Sequence, residues 1–210
     1  MINPGGGKTM KALPATERGR RTRAAILTAA ARLMHQHGLA GPSVDDVLAA
    51  SGAGKSQFYH YFGSRRDLAA AVLYHQFDRV MGSQPALRDP DRADLRAWRD
   101  QVVGAHRDSS HGMCPLGVFV GQVDDEPELN GILAELFGRW EKCLADLVSR
   151  ARDQGRVRSD VDPEDAGRML LAALEGGAML AHVHRQPTAL ERSLDAAIAV
   201  LTAGDASAVH

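Results

Sequence analysis

Lys55, Ser56, Gln57, Tyr59 and His60 crowd into a single short stretch of this chain. Together they offer an ammonium, two hydroxyls, a carboxamide and an imidazole, a set suited to gripping phosphate oxygens and reading base edges. The Gln57 carboxamide can pair bidentately with adenine in a major groove, and the Ser56 hydroxyl can bond to several base edges. Lys55, Tyr59 and His60 suit phosphates, contacts that fix register without reading sequence. Phe58 and Phe62 stand four apart and pack inward, which leaves the polar set on the outer side of a short helix.

The elements that must hold these side chains lie just upstream. Ser43 is a good N-cap, and Asp46 three residues later can reach back as a carboxylate variant of the capping box. Val44, Val47 and Leu48 follow at i, i+3 and i+4, one apolar face on a short helix. Gly52 can take the positive φ that a sharp turn demands. A short helix, a glycine turn and a second short helix across 43–62 make a helix-turn-helix, the device that places a helix end in the DNA major groove.

The same letters admit a rival. Ala49-Ala50-Ser51-Gly52-Ala53-Gly54-Lys55-Ser56 matches a phosphate-binding loop if alanine is tolerated at the first glycine. Such a loop must follow a buried strand, whereas Ser43 to Ala50 has helical periodicity. No apolar strand ending in Asp stands downstream to hold magnesium. A nucleotide-hydrolysing enzyme acting through Gly54, Lys55 and Ser56 is therefore the contrasting hypothesis. No Ser-His-Asp order or carboxylate pair supports any other enzyme, and no cofactor is expected.

The chain has 210 residues, enough for one large domain or two small ones with a sizeable core. Alanine, leucine and arginine dominate while β-branched and aromatic residues are sparse, which favours an all-α protein. A net charge of −1 hides a division. Residues 1–66 carry ten Lys and Arg against three Asp and Glu; residues 67–210 carry fifteen against twenty-three. A basic front and an acidic remainder suit a DNA-binding head on a body that avoids DNA. Cys114 and Cys143 are too few for a disulfide framework and read as reduced thiols. The N-terminus lacks the apolar core of a secretory signal, and no apolar run approaches the ~18 residues of a membrane span. Cytoplasm is the default, with no membrane partner.

Residues 1–15, rich in Gly, Pro and Lys, read as a disordered basic arm. A helix is predicted from Thr16 to His37, with Ile26, Leu27, Ala30, Leu33 and Met34 as its buried stripe and Gly38 as its cap. Ser64 with Asp67 opens a helix through Met81. Further helices are predicted over 91–108, Glu126 to Gln154, Pro163 to Arg185, and Pro187 to Leu201 with a stop at Gly204. The division is an arm at 1–15, a helix-turn-helix head at 16–66 and a body at 67–210.

The segment from Arg23 to Leu73 resembles the DNA-binding head of TetR-family repressors. Gly52, Lys55, Phe58-Tyr59-His60-Tyr61-Phe62 and Gly63-Ser64-Arg65-Arg66-Asp67-Leu68 stand where that family has its most recognisable run. Gly112-Met113-Cys114-Pro115-Leu116-Gly117 and Leu174-Glu175-Gly176-Gly177 look like one common subgroup of its ligand-binding domains. The resemblance implies a homodimeric repressor with a three-helix head and a larger helical ligand-binding and dimerisation body. A small-molecule inducer would enter the body and change the spacing of two heads on a pseudo-palindromic double-stranded operator. It also implies that Ser43 and Arg65 touch the DNA backbone. Gly54 departs from the family, which often has Ser or Thr capping the recognition helix; Gly caps less well by a few tenths of a kcal/mol. Arg20, Arg21 and Arg23 either add a minor-groove arm or form a solvated charge run.

In the body, Trp98, Val102, Phe119, Gln122, Phe137, Trp140, Glu141, Leu171, Glu175 and Met179 are candidates to line a ligand cavity, ordinary core being the alternative for each. A buried Glu175 needs a partner: a ligand, an arginine or the other subunit. Cys114, just before Pro115, would have its thiol pKa lowered by a helix N-terminus, and the resemblance implies that a cysteine in this region can sense oxidants or electrophiles; a small buried hydrophobe is the alternative. His182 and His184 sit two apart on a helix, on different faces, so no metal site is expected. Gly176-Gly177 inside a helix costs roughly 1–2 kcal/mol in propensity. Close approach of another helix would offset it, which places the dimer interface on helices 163–185 and 187–203, with cavity space as the competing explanation.

Overall fold

The computed structural model describes residues 14–91, 93–108 and 113–202. Most of the expected arm, and the expected stop at Gly204, lie outside these residues. The described residues contain eight α-helices and no strand.

The first three helices form the head. Helix α1 (Glu17–His37) starts where Thr16 Oγ1 accepts the Gly19 N–H at 3.1 Å. It buries Ile26, Ala30 and Met34, while Leu27 and Leu33 are half-buried at the edge of the stripe. Helix α2 (Val44–Ser51) carries the complete capping box: Ser43 Oγ accepts the Asp46 N–H at 3.1 Å, and Asp46 accepts the Ser43 N–H at 2.8 Å. Gly52, at φ 69°, closes α2 in the left-handed conformation. Helix α3 (Lys55–Tyr61) follows, with Phe58 and Phe62 fully inside; α1, α2 and α3 all pack on one another.

Helix α4 (Arg65–Gly82) begins where Ser64 Oγ accepts the Asp67 N–H at 3.1 Å. After a short 3₁₀ turn at Pro85–Arg88 comes α5 (Leu95–Asp108). Its start is later than the expected residue 91, because Asp94 accepts the Arg96 and Ala97 N–H groups and so stands outside the helix as its cap. Helix α6 (Pro127–Asp153) is followed by Gly155 at positive φ, α7 (Pro163–His184) by the left-handed Arg185, and α8 (Thr188–Thr202) completes the described chain. Asp162 N-caps α7 through two backbone N–H groups, with Pro163 in the first turn.

By backbone contacts the described residues form two compact units, one within Met1–Gln76 and Phe119–Ile132, the other within Phe77–Val118 and Leu133–His210. In the second unit α7 packs along α8, and α5 packs on α8 and on the 3₁₀ turn. Arg99 pairs bidentately with Asp195, both bonds at 2.9 Å, and fastens α5 to α8. Gly167 admits the backbone of α6: an added Cβ would stand 2.8 Å from both Glu141 O and Ala145 N.

Candidate functional site

Helix α3 presents its polar side chains outward because its two phenylalanines take the inner face. Lys55, Ser56, Tyr59 and His60 are exposed, Tyr59 at 46%, while Gln57 is half-buried. The Tyr59 ring meets the edge of Phe58 at 5.1 Å, and the His60 ring meets Tyr61 at 5.0 Å, so both outer rings rest on neighbours within the helix. At the N-terminus of α3 the weak Gly54 cap is supplemented: Gln57 Oε1 accepts the Gly54 N–H at 2.9 Å. Ser43 is exposed at the N-terminus of α2, where its N–H and its hydroxyl both donate to the Asp46 carboxylate, at 2.8 and 2.7 Å.

Arg65 has a different local task. Its Nη2 donates to Leu39 O at 2.7 Å and its Nε to Pro42 O at 3.2 Å, which ties α4 to the α1–α2 turn. The arginines of α1 do not form an arm. Arg20 and Arg21 both pair with Glu17, and Arg23 lies over the Phe62 ring at 5.1 Å with its pKa lowered by burial. They belong to the first turns of a helix, where Glu17 holds two of them.

The phosphate-loop reading does not survive the geometry. Residues 44–51 are helix, not strand, so the backbone amides of Gly52 to Ser56 do not open from a buried strand end.

The body candidates separate. Phe119 and Gln122 lie in the first unit with the head; Trp98, Val102, Phe137, Trp140, Glu141, Leu171, Glu175 and Met179 lie in the second. Trp98 is a core residue, completely buried, its Nε1 donating to Gln84 Oε1 at 2.7 Å. Gln84, which lies between the predicted helices, is itself buried and donates to Val80 O. Val102 and Leu171 are also buried, and the Glu141 carbonyl faces Gly167. Met179 is 53% exposed on α7. Gln122 is exposed too, and its Oε1 accepts the Leu39 N–H at 2.7 Å.

Among the described residues, three polar atoms in the second unit are buried without a hydrogen-bond partner: Trp140 Nε1, Arg150 Nε and Glu175 Oε1. Trp140 is wholly buried beside Phe137, ring centroids 6.2 Å apart. Burial raises the Glu175 pKa, against a hydrogen bond from Cys114 that lowers it. No arginine takes up the Glu175 carboxylate among the described ion pairs. Cys114 corrects the expectation of an activated thiol. Burial first, then the charge and hydrogen bond of Glu175, push its pKa well above the usual thiol value; the N–H groups of Gly117 and Leu116 pull the other way and lose. A thiol kept protonated in an apolar setting is a poor nucleophile. His182 and His184 are both exposed, and no group of three or more His, Cys, Asp and Glu that could hold a metal occurs among the described residues.

Comparison with known proteins aligns with this geometry. The family model for bacterial regulatory proteins of the tetR family matches residues 26–72, and that for the tetracyclin repressor-like C-terminal domain matches residues 92–197. The chain is 25% identical over 182 residues to an uncharacterized HTH-type transcriptional regulator in the lacX 3' region of Lactococcus lactis subsp. lactis, covering 84% of this chain and 91% of that protein. It is 29% identical over 168 residues to the HTH-type transcriptional repressor LfrR of Mycolicibacterium smegmatis, covering 78% and 82%. The crystal structure of a TetR transcriptional regulator from Chloroflexus aurantiacus J-10-FL superposes with a TM-score of 0.78 at 25% identity, covering 90% of this chain and 98% of that one.

Proposed function

Because the chain belongs to the TetR family of transcriptional regulators, we propose that it is a repressor that binds a pseudo-palindromic operator as a dimer and is released by a small-molecule inducer. The observation that carries this reading is α3, a short helix behind a left-handed Gly52 turn whose outer side offers Lys55, Ser56, Tyr59 and His60. Gln57 and Ser56 read bases; Lys55, Tyr59, His60 and Ser43 hold phosphates; Arg65 supports the backbone contact from α4.

Dimerisation is supported by the outer face of α7 and α8. Met179, Leu180 and Val183 expose apolar surface on α7, Val183 at 65%, and Val200 does so on α8. Gly176 opens on empty space, whereas a Cβ on Gly177 would come within 3.0 Å of Leu190 Cα. The two glycines thus divide the work: Gly177 admits α8 of the same chain, and Gly176 leaves room for a second copy. Exposed apolar side chains on two helices that pack along each other are what an isologous four-helix contact would bury.

An inducer site in the body is supported by the unpaired Trp140 Nε1 and Glu175 Oε1, since buried polar atoms normally find partners and ligand cavities keep a few among apolar walls. Release would follow from a population shift. A ligand that prefers the state whose heads miss successive major grooves, about 34–36 Å apart, needs only a few kcal/mol of differential affinity. No helix among the described residues is long and apolar enough to cross a membrane.

The test is selection of DNA fragments by the purified protein, followed by titration of the enriched site at two salt concentrations. A palindromic site with a steep salt slope is expected; no enriched sequence would sink the proposal.

A further inference from the structure

The α1–α2 turn is held from both sides by side chains far away in sequence. Leu39 donates its N–H to Gln122 Oε1 at 2.7 Å across 83 residues, and its carbonyl accepts Arg65 Nη2 at 2.7 Å. Arg65 also takes Pro42 O, so the turn is fixed at both ends of Leu39–Pro42. The turn itself has little slack. Gly38 stands at φ 81°, a value that side-chain-bearing residues rarely adopt, and a Cβ there would come 3.2 Å from Gln122 Oε1. A Cβ on Gly41 would stand 2.3 Å from His37 O. The next residue after Pro42 is Ser43, the N-cap of α2.

Gln122 does not hang on a loose loop. Phe119, Val123 and Leu129 flank it as buried side chains, and residues 119–132 belong to the same compact unit as the head. The same segment reaches the start of α4 as well, where Glu126 pairs with Arg66 and Glu128 stands 3.9 Å from it. Both of these contacts are solvent-exposed and so weak. The Gln122 bond differs, because the Leu39 N–H it satisfies belongs to a buried residue and would be costly to leave unpaired.

We infer that Gln122 is a positioning residue for DNA binding: by holding the Leu39 N–H it keeps the α1–α2 turn, and with it the Ser43 end of α2, in the orientation that meets the phosphate backbone. It touches no DNA itself. Its loss lowers the population of heads competent to bind, and apparent affinity falls by that fraction. The inference rests on the operator-binding function proposed above.

The experiment compares full-length wild type with Gln122→Leu and Gln122→Glu on the duplex that wild type enriches from a random-sequence pool. Leucine removes the acceptor while keeping bulk; glutamate keeps an oxygen for the Leu39 N–H. Gln122→Leu is expected to bind about three- to tenfold more weakly, the range of one net hydrogen bond. Gln122→Glu is expected to stay within about twofold of wild type. Thermal denaturation is recorded in parallel, since a purely structural contact would lower Tm and leave the operator Kd of the folded protein unchanged. Wild-type affinity in Gln122→Leu, or equal weakening in both variants, overturns the inference while leaving the repressor reading intact. If wild type itself enriches nothing, the repressor reading falls and takes this inference with it.

Discussion

Gln57 and Gly54 form one unit at the start of the recognition helix: the Gln57 carbonyl accepts the Gly54 N–H, so the side chain best suited to read adenine also caps the helix that carries it. The Gly54 N–H is one of the donors that a helix start leaves without an intrahelical partner. Gln57 is therefore held in one orientation, with its Oε1 bonded to backbone.

Substitution in α3 should separate reading from holding. Gln57→Ala is expected to cost about 1–3 kcal/mol at the base it reads and to flatten discrimination between the enriched site and its point variants. Lys55→Ala is expected to weaken all duplexes alike and to reduce the salt slope by about one. Competition titrations against a mutated-site panel give both quantities. A Gln57→Ala protein that kept its full sequence preference would remove Gln57 from the reading set.

Cys114 should be inert near neutral pH. Its thiol is buried and held protonated by its surroundings and by Glu175. Alkylation by iodoacetamide at about pH 7.5 is expected to run far slower than for a free thiol of ordinary pKa, followed by mass spectrometry of the native protein. Cys114→Ser is expected to release operator DNA under quinone or peroxide treatment to the same extent as wild type. Loss of an oxidant response in that variant would restore the sensor reading.

Glu175 carries a pH signature whose sign is fixed by burial. Its folded pKa lies above the ordinary carboxylate value, so the folded state binds the proton more tightly than the unfolded chain. Stability from this group is complete below the unfolded pKa and declines as pH rises through the interval up to the raised folded value. Glu175→Gln, which stays neutral throughout, is expected to melt higher than wild type at about pH 7.5 and together with it at about pH 3.5. Melting curves at the two pH values decide; an equal shift at both would mean that the carboxylate is already paired when ionised.

The adjacent glycines of α7 should respond oppositely to one methyl group. Gly177→Ala drives a Cβ into Leu190 and Ser193 and is expected to destabilise by about 1–3 kcal/mol. Gly176→Ala meets nothing in the chain and would gain up to about 1 kcal/mol of helix propensity in an isolated subunit. If the second copy seats there, the same methyl weakens dimerisation. Val183→Glu, a charge placed in the apolar stripe, is expected to shift the protein to monomer in sedimentation velocity. A dimer unaffected by both changes would move the interface elsewhere.

Much of this molecule is written locally. The Ser43–Asp46 capping box, the Asp162-Pro163 start of α7, the inward Phe58 and Phe62 and the outward polar set of α3 all depend on residues three or four apart, where helix geometry alone decides who meets whom. The all-α class and the helix-turn-helix were legible for that reason. What joins distant residues was not. Gln122 carries no local sign that it will accept the Leu39 N–H, and Arg65 none that it will turn to Leu39 and Pro42. Nor could composition tell which of Gly176 and Gly177 faces α8, that Trp98 would find Gln84, or that burial and Glu175 would outweigh the amides beside Cys114. Those outcomes are set by packing between segments far apart in sequence, where desolvation and steric contact depend on the assembled neighbours and no short-range pattern records them.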